Sequence, residues 1–530
     1  MRKKFILSIF FIIICEFLFY KFWTIGLWSL SFFIPYIVIG IYDISQKNHA
    51  ILRNFPVFGW GRYLMEALRP KIYQYFIESD IDGRPVGRIF RSLIYQRAKG
   101  DISTSPFGTQ LDVNAPGYEW MNHSISAKDM KDLPNDIRIL VGGQDCKQKY
   151  NASILNISAM SYGSLSKNAI EALNKGAQIN NFAHNTGEGG LSPYHLKHKG
   201  DLIWQIGTGY FGCRDKKGNF NLNEFQKNAL KDSVKMIEIK LSQGAKPGHG
   251  GILPAGKNTP EIATIRGVEP YTDVLSPPYH SAFGTPLELI NFIKNLRELS
   301  NGKPVGFKLC VGSKIEFLSI CKAMIKLQIY PDFITVDGGE GGTGAAPLEY
   351  ANSIGMPLND GLSFVSDCLI GFNIKKHIKI IASGKVITGF NIMRNIALGA
   401  DMVNSARAMM MALGCIQALE CNKNICPTGI ATQNPELMNG LVVDDKSIRV
   451  ANYHKETVHS VIDLLSATGH SSITEISRYD MNRRISQMSV KRFDEIYPMV
   501  KEGSFLNEEI PENLINDYNL ASEKSFIPII

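Results

Sequence analysis

The hydrophobic pattern divides this chain into two unlike parts. Two long apolar runs open it, "FILSIFFIIICEFLFY" (5–20) and "TIGLWSLSFFIPYIVIGIY" (24–42), separated by Lys21, Phe22 and Trp23. The second is uncharged and long enough to cross about 30 Å of hydrocarbon as a helix; the first is shorter and carries Glu16. Arg2, Lys3 and Lys4 precede the pair and Lys47 and Arg53 follow it. The positive-inside rule therefore predicts a membrane hairpin with both ends in the cytoplasm. A cleaved signal peptide fits less well: there is no small-residue cleavage site, and Ile14 before Cys15 spoils a lipoprotein site.

After an irregular lead-in (46–145), β-branched runs alternate with helical periodicity. "ASILNIS" (152–158) precedes a helix predicted to start near Ser166. "VKMIEIKL" (234–241), "PVGFKLC" (304–310), "DFITVDGG" (332–339), "IKIIASG" (378–384) and "DMVNSAR" (401–407) follow. Repeated βα units of this kind predict a parallel sheet, closed as a TIM-type (β/α)8 barrel over 146–440, with an open doubly wound sheet as the alternative. Residues 441–530 read as a polar, helical extension.

Composition changes this picture little. Fifty-seven basic against 49 acidic side chains give +8, too diffuse to indicate nucleic acid. Cys15, Cys146, Cys213, Cys310, Cys321 and Cys368 are scattered, which excludes a secreted disulfide framework and indicates reduced thiols. The other three cysteines are different. Cys415, Cys421 and Cys426 fall within twelve positions, closed by Pro427. The spacing is not that of a zinc finger or ribbon, and the nearest histidine is His454. Buried inert cysteines are the bland reading. Three together, ending in Cys-Pro, read as thiolate ligands of an iron–sulfur cluster. Such a cluster moves single electrons, and a flavin converts them to hydride pairs.

The glycine-rich turns point the same way. In a βα barrel phosphate is usually held after the last two strands, here "SGKVITG" (383–389) and "NSARA" (404–408). These offer Gly384, Lys385, Ala406 and Arg407 to a phosphate. "SAMSYGSLS" (158–166), "HNTGEGG" (184–190), "QGAKPGHGG" (243–251) and "GGEGGTGAAP" (338–347) lie at predicted strand ends. Glycine there permits close approach to a flat ligand, Gly339 and Gly341 among them. None has the form of a nucleoside-triphosphate loop.

Together with "LSPPYH" and "CIQALECNKNICPTGIATQ", these loops resemble, in order, the central and FMN-binding region of glutamate synthase over about 150–440. The resemblance implies a barrel carrying FMN and a [3Fe–4S] cluster on Cys415, Cys421 and Cys426. It implies reduction of 2-iminoglutarate, from 2-oxoglutarate and ammonia, to glutamate. Electrons would arrive from ferredoxin or a pyridine-nucleotide-dependent subunit. Two departures stand out. A membrane hairpin replaces the glutaminase domain, and "KPGHGG" places His249 where the family has Glu. The overall arrangement looks like the stand-alone, glutamate-synthase-like FMN proteins of bacteria, with an inner-membrane anchor and a cytoplasmic catalytic domain.

On that resemblance Lys308 is expected to act in flavin electrostatics and carboxylate binding. Ser161 and Ser164 would bracket the isoalloxazine, and Gln243 and Lys246 would line the substrate side. Glu188 and His249 are candidate proton donors, with Asp337 behind them. The rival readings are an FMN-dependent oxidase or dehydrogenase of another small acid, and a membrane-tethered scaffold without activity.

Overall fold

A computed structural model describes residues 1–528. Two compact units are present, Met1–Arg88 and Ile89–Ile530, where the sequence suggested boundaries near 45, 145 and 440. In the first unit, helix Arg2–Phe22, a 3-10 turn (Thr24–Ser29) and helix Leu30–Ser45 form the hairpin. Both arms are long and apolar enough to cross a membrane, and most of their apolar side chains face outward. Glu16 is buried within the hairpin, where its carboxylate accepts a 2.5 Å hydrogen bond from the Ser29 hydroxyl. That bond supplies the partner a carboxyl needs in an apolar run.

The second unit is built around a closed parallel barrel of eight strands: Leu155–Ile157, His184–Asn185, Leu202–Ile206, Val234–Lys240, Val305–Leu309, Phe333–Asp337, Lys379–Ser383 and Met402–Ser405. Closure comes from the last strand pairing with the first, Ser405 against Ile157. The six runs read from sequence lie in this barrel, and the open sheet is excluded. Helices follow the strands with side-chain caps, as at Ser166, whose hydroxyl accepts from Ala169 N at 3.2 Å, and at Thr388, which opens Gly389–Ala397.

The interior is not purely apolar. Glu238 accepts hydrogen bonds from Asn185 (2.8 Å), Gln205 (2.5 Å) and Thr335 (2.6 Å), tying the second, third, fourth and sixth strands together. Nearer the opposite end, Asp332 is buried and accepts from Arg297 Nε (2.9 Å), Val305 N (2.9 Å) and Gly143 N (2.7 Å).

The flanking segments differ from expectation. The C-terminal extension begins as a helix, Val443–Thr468, which packs on Lys167–Ile179. It then forms an antiparallel hairpin (Met481–Ser486 with Ser489–Arg492) whose first strand pairs with Glu119–Met121 of the lead-in. These strands are mostly half-buried or exposed and rich in Arg, so no apolar face marks them in the sequence.

Candidate functional site

The C-terminal mouth of the barrel opens into two adjoining cavities of about 620 and 910 Å³. Ser161, Glu188, Gln243, Ala406 and Arg407 line both, so one ligand can reach from one to the other. The first cavity is the more polar, with Gln205, Lys240, Lys308 and Asp337 on its inner wall and Gly341, Gly384, Lys385, Asn404 and Ala406 at its rim. The second adds Ser164, Lys246, Lys257 and Cys421, between apolar walls of Met160, Leu165, Ile252, Leu253 and Met410.

The rim of the first cavity suits a phosphate-bearing ligand. Gly384 has φ +140°, a conformation L side chains rarely adopt, and a Cβ there would meet Gly338 N at 3.3 Å. Lys385 follows it, and Arg407 reaches in from the next strand end while donating to the Glu340 carbonyl at 2.6 Å. The side-chain oxygen of Asn404 is buried without a hydrogen-bond partner. A buried acceptor left unmade is costly, and a ligand hydroxyl or amide would satisfy it. These features fit the ribityl phosphate and ring of FMN.

Two strand-end lysines dominate the electrostatics. Lys240 Nζ lies 2.7 Å from Glu188 Oε1, and Lys308 Nζ lies 3.8 Å from Asp337 Oδ2. Burial alone would raise the Glu188 carboxyl, but Lys240, Lys246 and Arg266 outweigh it and hold the group below its ordinary value. Glu188 is therefore ionised at neutral pH, in an ion pair with Lys240. Burial lowers Lys240 against the pull of Glu188. Lys246 is lowered to about 8 by burial and by Lys240, and its ammonium donates to the Ala345 carbonyl at 3.0 Å.

Most of the residues singled out in the sequence converge here. Gly339 and His249 line neither cavity. The Gly339 Cβ position faces the Gly355 carbonyl at 2.7 Å, and the His249 ring lies against Tyr350 while Nδ1 contacts the Gly250 carbonyl. Lys240 was missed, although it ends "VKMIEIKL" as Lys308 ends "GFKL", the same signal. Lys257 gave none. Its buried ammonium donates to the carbonyls of Cys421 (2.7 Å), Ala431 (2.8 Å) and Ser164 (3.1 Å), joining the cysteine segment to the first strand's loop.

The three cysteines share one electrostatic neighbourhood. Burial raises the Cys415 thiol to about 11, with Cys421 and Cys426 adding to the rise. Burial also opposes ionisation of Cys426, but the Thr428 hydroxyl and the N–H groups of Ala431, Thr428 and Ile430 lower it overall. Gln417 N points at Cys415 Sγ at 3.5 Å. Among the described residues, no three His, Cys, Asp or Glu side chains converge on the position of a single metal ion. The segment does bring three thiols together with N–H groups around Cys426 and the Lys257 ammonium at the Cys421 carbonyl, the donor types on which an iron–sulfur cluster could be held.

A profile of the conserved region of glutamate synthase matches residues 125–471. The glutamate synthase large subunit-like protein YerD of Bacillus subtilis is 36% identical over 86% of this chain and 94% of its own length. The archaeal glutamate synthase [NADPH] of Methanocaldococcus jannaschii is 34% identical, over 60% of each chain. A solved mandelate oxidase aligns over 81% of this chain and 96% of its own, at 13% identity and a TM-score of 0.41, too distant to bear on function.

Proposed function

The chain belongs to the glutamate synthase family, and from that premise we propose an FMN- and iron–sulfur-dependent oxidoreductase that reduces an imine, such as 2-iminoglutarate, to an amino acid. The observation that carries the reading is the continuity of the two cavities. One has a phosphate rim at the last two strand ends, and the other runs to the wall at Cys421 and Lys257. When bound, FMN would supply hydride to the imine carbon, and a cluster on Cys415, Cys421 and Cys426 would deliver electrons singly.

The chain's own groups then have separable tasks. Gly384, Lys385, Ala406 and Arg407 hold the phosphate, with Gly341 giving close approach. Ser161 and Ser164 would bracket the ring, and Lys308, paired with Asp337, would offer it positive charge. Lys246 binds the substrate carboxylate, with Gln243 beside it. Lys240 holds a proton at Nζ, 2.7 Å from ionised Glu188, where the pair can pass it to the imine nitrogen. Hydride at carbon and a proton at nitrogen complete the reduction of C=N. The electron source would be a ferredoxin or a pyridine-nucleotide-dependent reductase, and the N-terminal hairpin would hold the enzyme at a bacterial inner membrane with its catalytic unit in the cytoplasm.

The test is anaerobic. Photoreduced protein is mixed with 2-oxoglutarate and ammonium, while flavin reoxidation and amino-acid formation are followed together. Flavin that no 2-oxo acid plus ammonium reoxidises would rule out imine reduction. Protein that binds no flavin would leave only the scaffold reading.

A further inference from the structure

The helix Gly59–Ile72, continued by a π-type turn to Ile77, has almost no protein against it. Its exposed apolar side chains include Leu64 (56%), Met65 (55%), Phe76 (84%) and Ile77 (63%). At 3.6 residues per turn, Leu64, Leu68, Ile72 and Met65 fall within an arc of about 100°. Lys71 and Trp60 border that stripe on one side and Arg69 and Arg62 on the other, while Glu66, the helix's one acidic residue, sits on the far face. A stripe that narrow, with basic residues along both edges, matches a helix lying in a membrane interface with its cations reaching headgroups.

Its position in the first unit supports the same occupant. Asp43, in the last turn of the hairpin's second helix, is fully buried. It accepts from Val57 N at 2.8 Å and from Trp60 Nε1 at 3.1 Å. This carboxylate hangs the start of the exposed helix on the end of the apolar arm, two residues before that arm stops. With the hairpin in a bilayer, Trp60 would stand where an aromatic belt meets water, with Tyr63, Tyr73 and Tyr75 following in the chain. Any bilayer that receives the hairpin ends beside this helix.

We propose that Gly59–Ile77 is an interfacial helix whose apolar stripe enters the surface of the bilayer crossed by the hairpin, with Arg62, Arg69 and Lys71 engaging anionic lipid headgroups. The proposal rests on reading the hairpin as membrane-spanning.

The experiment uses the full chain in vesicles of phosphatidylethanolamine and phosphatidylglycerol. A photoreactive benzophenone residue is placed singly at position 11 (hairpin), 65 or 76 (stripe), or 66 (far face). Lipid adducts at 11, 65 and 76, with few at 66, are expected. Adducts at 11 but none at 65 or 76 overturn the interfacial helix and leave the hairpin standing. Crosslinks from 76 to a second copy of the chain overturn it in favour of self-association. Loss of the adduct at 11 overturns the hairpin and the helix together. The combined variant Arg62→Gln, Arg69→Gln and Lys71→Gln, which leaves the stripe intact, should reduce adducts at 76 several-fold. An undiminished yield would refute the headgroup contacts.

Discussion

Replacing Gly384 by valine tests the phosphate cradle directly. The residue holds φ +140°, and an L side chain there costs on the order of 1–3 kcal/mol of backbone strain. Its Cβ would stand 3.3 Å from Gly338 N, a backbone atom on the neighbouring strand end that cannot swing aside. The larger effect should be on ligand binding. A hydrogen bond to a charged group contributes about 1.5–3 kcal/mol. Withdrawing one phosphate contact should therefore weaken FMN binding by about 10- to 150-fold, at 1.4 kcal/mol per decade. Gly344→Ala is the control, because it lines the second cavity, has no positive φ, and its Cβ would meet nothing within 4 Å. Apoprotein of each variant is titrated with FMN by flavin fluorescence, and circular dichroism checks the fold. A folded Gly384→Val protein that binds FMN as tightly as the parent would place the phosphate elsewhere. Equal losses in Gly344→Ala would show that the effect is not specific to this turn.

Serine at Cys415, Cys421 or Cys426 should remove the same share of iron in each case, because three ligands leave no spare. Cys213→Ser and Cys321→Ser, buried inside the barrel unit, should leave iron content unchanged; a full complement in any one of the first three variants would break the cluster assignment. Lys246, ordinarily near 10.5, is lowered to about 8, so its ammonium is lost as pH rises through 8. KM for the 2-oxo acid should then climb about tenfold per pH unit above 8, and Lys246→Arg should flatten that limb; a parent profile already flat to pH 10 would remove Lys246 from carboxylate binding. The same lowered value means the unfolded chain holds more protons between about pH 8 and 10.5, so this group's penalty on folding is relieved as pH rises through that window. Asp332→Ala should cost roughly 3–5 kcal/mol in urea unfolding, because Arg297 would remain buried without its counter-charge. Asp332→Ala combined with Arg297→Met should recover much of that loss; no recovery would show that the ion pair is not the source.

What the sequence determined by itself is what local pattern can encode. Two uncommonly apolar runs specify a hairpin whatever follows them. β-Branched runs ending in Gly, Ser, Lys or Asp mark six barrel strands, and the glycine turns mark the cavity rim, where the cysteine segment brings Cys421. The tertiary structure decided the rest, because those features depend on partners far apart in the chain. His184–Asn185 is too short to show a period, and it is a strand only because its neighbours in the closed barrel pair with it. "LIWQI" (202–206) is buried on both faces, so no alternation announces it. The hairpin at 481–492 carries no apolar face to mark it, and its third strand, Glu119–Met121, lies more than three hundred residues away. At the site, sequence singled out Glu188 as a proton donor. Barrel closure set Lys240 against it at 2.7 Å and made it the ionised half of a pair. Periodicity reads which face of an element is buried. Which charged groups meet on that face is fixed only when the barrel closes.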